Sequence, residues 1–432
     1  MELQEALEKS NPFWREGRVR REFCPPTQRK ALAEIIGLLK YNRIVRIIGP
    51  RRTGKTTLMH QTMQHLIDSG VKPESILFFS VDDPLFGFEK DVIGRVLEEY
   101  YDNVLKKSPS KQESFVFIDE IQKADGWSLW LKSYFEKKYK AKFVVSGSSA
   151  ARLKRGGKES LLGRMYDVFV APLSFAEFLE FSSKTRSDEL EVRRALDEYL
   201  LAGGYPEWFQ VKSIPVWQNF LVQDVMKKAI YDDIASLYEV RNPAKLEELL
   251  YLIASLESQS LSTNTIAQSL KTDFETAEKY VSYLKEAFLV YERRFYSPSG
   301  EKVLKKNIKL DLSDSGMRNA LLKEEKQTGL SIESAAAKHL HEAAARNNYA
   351  LYYWKNGKEV DFVLKTAKKL LPIECKYQNA VGDADAKQLI AFCEKFKCTE
   401  GILITKTQKK RFTARGTTIS FIPLHEFLLT EF

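Results

Sequence analysis

Gly49-Pro50-Arg51-Arg52-Thr53-Gly54-Lys55-Thr56 sets two glycines, a lysine and a threonine at the spacing of a phosphate-binding P-loop. Glycines at those positions let the main chain wrap a phosphate with several N–H groups turned inward. Lys55 is long enough to reach the β- and γ-phosphates of a nucleotide, and the Thr56 hydroxyl is an oxygen donor for Mg2+. Thr57 opens the helical pattern that follows, and Ile44, Val45, Ile47 and Ile48 form a β-like run just before the loop. Strand, glycine loop and helix in that order make the short pattern a credible nucleotide site.

Two further groups of residues could do chemistry. Phe115-Val116-Phe117-Ile118-Asp119-Glu120 is an apolar strand that ends in two carboxylates. Asp119 suits Mg2+, directly or through water, and Glu120 suits the water that attacks a γ-phosphate in line. Val144-Val145-Ser146-Gly147-Ser148 puts Ser146 or Ser148 at another strand tip, as a polar sensor of the γ-phosphate or as part of a plain Ser/Gly turn. Asp361, Glu374 and Lys376 form the other group. They fall on adjacent predicted strands, and the two-residue pleat puts Glu374 and Lys376 on one face. The two carboxylates could hold Mg2+ while Lys376 positions or activates water, with Glu333 as a helper from a helix. The competing reading is a pair of solubilising charges on an edge strand.

The elements that must position these residues follow from hydrophobic periodicity. β-like runs at Ile44–Ile48, Ile76–Val81, Phe115–Asp119, Phe143–Ser146 and Val168–Ala171 alternate with helical patterns such as Trp127–Tyr139. That alternation predicts a parallel sheet covered on both faces. Residues 179–242 read as helical, broken at Gly203-Gly204-Tyr205-Pro206. From Ala244, three helices and a hairpin with its return strand at Lys302–Leu310 predict a winged helix, with Arg293, Arg294, Lys302 and Lys305 on the wing. Strands at 351–354, 359–364, 370–376 and 401–405 close the chain.

P-loop, Asp-Glu strand, polar strand tip and the Leu161-Leu162-Gly163-Arg164 arginine together resemble the AAA-type branch of P-loop ATPases. Asp119-Glu120-Ile121-Gln122-Lys123, Pro172-Leu173-Ser174-Phe175-Ala176-Glu177-Phe178 and Gly203-Gly204-Tyr205-Pro206 make the chain similar to a prokaryotic family of such ATPases whose C-terminal part is a domain of unknown function. The resemblance covers essentially the whole chain. It implies an α/β fold: an AAA-type P-loop ATPase core (1–175), a helical lid (176–243), a winged helix (244–310) and a restriction-endonuclease-like α/β domain (311–432). It implies ATP and Mg2+ as cofactors and self-association as a homo-oligomer, up to a hexamer. Arg164, with Arg152 and Arg155 behind it, would then point at a neighbour's γ-phosphate, or else be a surface arginine.

Composition narrows the function classes. The 432 residues carry 44% hydrophobic and 12% aromatic side chains, enough for packed cores and too many for a disordered chain. No apolar run is long enough to span a bilayer and the first residues lack a signal core, so a cytoplasmic protein without a membrane partner is expected. The four cysteines are scattered and form no zinc pattern. Net charge is +9, gathered at Arg15–Lys30, Glu292–Lys309 and Lys406–Arg415, which favours DNA as a partner. The expectation is an ATP-hydrolysing, DNA-binding protein with a nuclease module; the alternative is an ATP-gated oligomeric switch for protein partners, with a non-catalytic nuclease-like domain.

Overall fold

In the computed structural model, residues 3–86, 91–147, 161, 163–184, 188–257, 259–326, 329–378 and 380–432 are described. The chain divides into two units, Met1–Ala171 and Pro172–Phe432. In the first, the five apolar runs form strands β1 (Ile44–Ile48), β2 (Ile76–Ser80), β3 (Ser114–Asp119), β4 (Ala141–Gly147) and β5 (Met165–Phe169). They make one parallel sheet in the order β2-β3-β4-β1-β5. All six residues of β3 are buried, as expected of a strand with both faces covered. β5 starts earlier than its Val168–Ala171 pattern suggests, because Met165 to Phe169 pair with Ile44 to Ile48. The connection after β1 runs to β2 at one edge and the connection after β4 runs to β5 at the other, so a crevice opens at the carboxyl ends of β1 and β4, where ligands bind in open α/β sheets.

The second unit holds a nine-stranded sheet. Its strands are β6 (Ser260–Leu261), β7 (Val290–Phe295), β8 (Ile308–Leu312), β9 (Ala350–Asn356), β10 (Lys358–Lys365), β11 (Leu370–Lys376), β12 (Glu400–Thr405), β13 (Lys410–Ala414) and β14 (Thr417–Pro423). The order β13-β14-β12-β11-β10-β9-β7-β8-β6 carries the sheet straight across residue 310, where the sequence draws a boundary. β7 makes the join: it is antiparallel to β8 and parallel to β9 through Arg294 and Phe295.

Two local readings are corrected. The return strand at Lys302–Leu310 is shorter than expected, because Gly300–Lys305 forms a helix and β8 begins only at Ile308. Arg293 does not lie on an exposed wing: it is fully buried, as is Lys309. The pleat turns both side chains inward, where acidic partners receive them. The basic run near Lys406–Arg415 includes the edge strand β13, and Lys409, Lys410 and Arg415 pair with Glu426, Asp383 and Glu394. Charges of this kind keep an open sheet edge from pairing with another chain. Among the described residues no helix is long and apolar enough to cross a membrane.

Gly203-Gly204 finds its reason in a buried ionic node. Asp314 Oδ2 accepts from Lys338 Nζ at 3.0 Å and from the Gly204 N–H at 2.8 Å. Lys338 Nζ also donates to Leu173 O at 2.8 Å and to the Tyr199 hydroxyl at 3.0 Å. Gly203 has φ +79°, and a Cβ there would stand 1.7 Å from Asp314 Oδ1. Gly203→Ala therefore pushes apart a buried ion pair and is expected to cost about 3 kcal/mol or more. Urea unfolding checks it: the midpoint falls in the variant, whereas an unchanged midpoint would mean that Asp314 yields freely.

Candidate functional site

The P-loop joins β1 to the helix Lys55–Asp68, whose first turn carries no acidic residue. The helix therefore presents uncompensated N–H groups and positive dipole density to whatever lies at the loop. Gly49 has φ +153°, and a Cβ there would fall 2.2 Å from Val170 O, because the chain leaving β5 presses on the loop. Lys55 Nζ donates to Pro50 O at 2.7 Å and Gly49 O at 3.1 Å, and the Thr53 hydroxyl donates to Pro50 O at 3.0 Å. Arg51 is half-buried, Arg52 is exposed with φ +63°, and Thr57 lies on the first helical turn. Arg29, which the sequence showed only as part of a basic cluster, is a buried staple. Its Nη1 donates to Thr53 O at 2.9 Å and Ala171 O at 2.7 Å, tying the loop to the exit of β5.

Asp119 stands at the tip of β3 and is engaged from two sides. The Thr56 hydroxyl donates to its Oδ2 at 2.6 Å, and the Ser146 hydroxyl at the tip of β4 donates to its Oδ1. The Glu120 N–H points at Asp119 Oδ1 (3.1 Å) and Ser146 Oγ (3.2 Å). Ser146 can do this because β4 lies between β1 and β3, with Ser146 level with Ile47. Glu120 itself has φ +50°, a left-handed conformation that costs a non-glycine residue about 1–2 kcal/mol. Strain of that kind concentrates at functional sites. The amide of Gln122, a second residue without an assigned role in the sequence reading, donates to Glu120 Oε2. His60, one turn beyond Thr56, packs between Phe23 and Phe78, and burial pushes its pKa down to about 4, so it is neutral at pH 7. Two hard oxygen donors, Thr56 Oγ1 and Asp119, beside a phosphate cradle are what Mg2+ takes when phosphates complete its shell.

Arg164 lies at the other end of the sheet. Its carbonyl accepts from the Ile44 N–H at the start of β1, and its guanidinium meets Glu136 at 3.2 Å and the face of Phe135. A five-residue strand separates it from the P-loop, about 17 Å at strand rise, so it cannot serve its own loop. Ser148, Arg152 and Arg155 lie outside the described residues.

The second group of chemical residues is brought together on β10 and β11. Phe362 lies opposite Ile373 in their antiparallel register, which puts Asp361 beside Glu374. Asp361 Oδ2 accepts from the Cys375 N–H at 2.8 Å, and Lys376 Nζ lies 2.8 Å from Glu374 Oε1. Glu374 is 2% exposed, and its Oε2 is buried with no hydrogen-bond partner. Burial and then the neighbouring Glu374 raise the pKa of Asp361, and burial raises that of Glu374. Two carboxylates so placed favour a cation between them, and the orphaned oxygen fits one. Among the described residues no group of three or more His, Cys, Asp or Glu is gathered to hold a metal, so phosphate and water oxygens would have to complete the shell here. Glu333 reaches Arg293 (3.4 Å) and Lys309 (3.9 Å). Burial alone would raise the pKa of Asp311, yet Arg293 holds it well below the carboxylate range. Arg293, Lys309 and Asp311 went unassigned to this site in the sequence, since nothing local announces which distant strand a side chain will face.

Residues 41–179 match the family model described as an AAA domain. Residues 193–328 and 328–427 match two families, each described as a domain of unknown function. An AAA-type P-loop ATPase domain is thus present in this chain, followed by a further sheet-containing part. An uncharacterized protein of Haemophilus influenzae is 26% identical over 87% of this chain and 92% of its own length. Another, from Methanocaldococcus jannaschii, is 26% identical over 77% and 75%. Among solved structures, DnaA from Aquifex aeolicus with AMPPCP aligns over 60% of this chain and 86% of its own, with TM-score 0.32 and 16% identity. The Thermotoga maritima RuvB Holliday junction branch migration motor aligns over 66% and 94%, with TM-score 0.32 and 17% identity.

Arg29→Met removes the two buried charge-assisted hydrogen bonds that tie Thr53 of the P-loop to Ala171, each worth about 1.5–3 kcal/mol. Calorimetric titration with ATP should show affinity reduced roughly tenfold or more, and Lys55→Ala should show no binding. Wild-type affinity in Arg29→Met would mean that the loop holds its shape without the staple.

Proposed function

We propose that this protein binds and hydrolyses ATP with Mg2+ at the P-loop site, and that its second unit binds DNA and cuts it in a metal-dependent reaction. The observation that carries the first part is Asp119 held between Thr56 and Ser146 with Glu120 beside it. The loop amides and Lys55 bind and orient the phosphates. Thr56 and Asp119 would hold Mg2+, which when bound neutralises charge on the β- and γ-phosphate oxygens. Glu120 orients the attacking water and takes its proton. Ser146 fixes Asp119 and touches the Glu120 amide, so phosphate and carboxylates are kept in register. Arg164 would complete only the site of a neighbouring copy, so hydrolysis depends on assembly into a homo-oligomer.

The DNA reading draws on three features. The helix Ala244–Ser255, β6, the helices Thr263–Leu270 and Phe274–Glu286, and β7–β8 follow the element order of a winged helix. Once Arg293 and Lys309 are set aside, Lys302 and Lys306 are exposed around its wing and open to phosphates, with Arg294, paired to Glu292, exposed beside them. Asp361, Glu374 and Lys376 supply two carboxylates for Mg2+ and an ammonium to position water at a phosphodiester. A second reading, the ATP-gated switch for protein partners, is favoured by an apolar groove of ≈ 350 Å³ lined by Val222, Met226, Ile230, Leu250, Tyr251 and Leu321.

Supercoiled, linear and branched DNA, incubated with Mg2+ or Mn2+ with and without ATP, separates the two. The nuclease reading expects cutting that disappears in Asp361→Ala and Lys376→Ala. It also expects ATP turnover stimulated by DNA, with binding that falls steeply between 50 and 200 mM salt as phosphate contacts are screened. No cutting, or cutting unchanged in both variants, removes the nuclease; turnover indifferent to DNA together with ATP-dependent assembly favours the switch.

A further inference from the structure

The β9–β10 ladder shifts register between Val360 and Val363. Asp361 and Phe362 sit in that irregularity, and a bulge leaves main-chain groups without their ladder partners. The Asp361 carbonyl accepts instead from Arg293 Nη1 at 2.6 Å. Arg293 comes from β7, and β9 lies between β7 and β10. Its guanidinium therefore reaches across a strand, with its centre 4.2 Å from the centroid of the Phe362 ring. The other nitrogens are fixed as well. Nε and Nη2 form a fork with Asp311 at 2.5 and 2.6 Å, and Asp311 Oδ2 is in turn 3.1 Å from His341 Nε2.

Burying a guanidinium costs several kcal/mol before its partners are counted. A bulge at a surface could satisfy its carbonyl with water. Here the carbonyl belongs to the residue whose carboxylate faces Glu374, and it receives a planar donor whose orientation is itself set by Asp311. With its carbonyl held by Arg293 and its Oδ2 held by the Cys375 N–H, Asp361 is fixed at both main chain and side chain.

We propose that Arg293, a residue of the middle segment, is a positioning residue of the C-terminal site: it holds the β10 bulge so that Asp361 and Glu374 converge on one divalent cation. This rests on the reading of that carboxylate pair as a metal site. Groups that orient metal ligands typically govern affinity by about 10–100-fold.

Mn2+ binding to the full chain, followed by electron paramagnetic resonance, tests it without any appeal to turnover. Four variants accompany the wild type. Glu374→Gln removes a ligand. Arg293→Lys keeps the charge and loses the planar fork. Arg293→Met with Asp311→Leu removes both buried charges together, a replacement that folds tolerate well. Gly203→Ala is a destabilised control with Arg293 intact. Circular dichroism and a cooperative melt check folding. Expected is a Mn2+ site in the wild type and in Gly203→Ala that Glu374→Gln lacks, and that both Arg293 variants bind about 10–100-fold more weakly. Wild-type affinity in both Arg293 variants overturns the positioning role while leaving the metal site standing. Identical Mn2+ binding by wild type and Glu374→Gln overturns the metal site itself, and the positioning role with it.

Discussion

A carboxylate at the end of a buried parallel strand must find donors, and Asp119 finds them in Thr56 and Ser146. The rest of the N-terminal unit is arranged around that requirement. Thr56 arrives from the P-loop helix that follows β1, and Ser146 from β4, which lies between β1 and β3, so donors from both neighbouring elements converge on Asp119. The chain leaving β5 then closes the arrangement from the other side, pressing Val170 against Gly49 while Arg29 ties Thr53 to Ala171. Loop, strand tip and exit strand form one rigid cradle, which is what electrostatic catalysis of phosphoryl transfer asks of a protein.

The second unit follows another logic. Several of its polar groups are buried deep and paired, such as Arg293 with Asp311 and Lys338 with Asp314. Such pairs give little net stability against an apolar core, but losing one partner is costly, so they fix which elements may pack together. The Lys338 node locks Leu173, Tyr199, Gly204 and Asp314 into one geometry. The Arg293 node does the same for β7, β8 and β10, and it makes the middle segment and the C-terminal carboxylates a single structure. Both lysine and glutamate of these nodes, Lys338 and Glu333, come from the long helix Gly329–Asn347.

What the sequence made legible was local. The P-loop, the Asp119-Glu120 tip and the five strands of the first sheet are each specified within a few residues by glycine spacing or by β-branched runs. The trio of Asp361, Glu374 and Lys376 was legible for the same reason, because a short hairpin fixes register. Partners contributed from afar were not. Arg29 and Thr53, or Arg293 and Asp361, are joined only after the sheet is assembled, and a basic residue in a charged stretch carries no mark of the buried acid or carbonyl it will meet. The β7–β8 pair shows the limit well. The alternation of Arg293 and Arg294 across the pleat of β7 sends one inward and one outward, and a count of positive charge sees both as surface.

ATP turnover in Glu120→Gln tests the central claim most directly. The wild-type chain and the variant are mixed with ATP and Mg2+, and released phosphate and retained nucleotide are measured together. If Glu120 prepares the attacking water beside Asp119 and Ser146, the variant binds ATP and keeps it unhydrolysed, with turnover lowered by about 10²-fold or more. Normal phosphate release by Glu120→Gln would contradict the account, because the carboxylate held at the strand tip would then have no part in the chemistry.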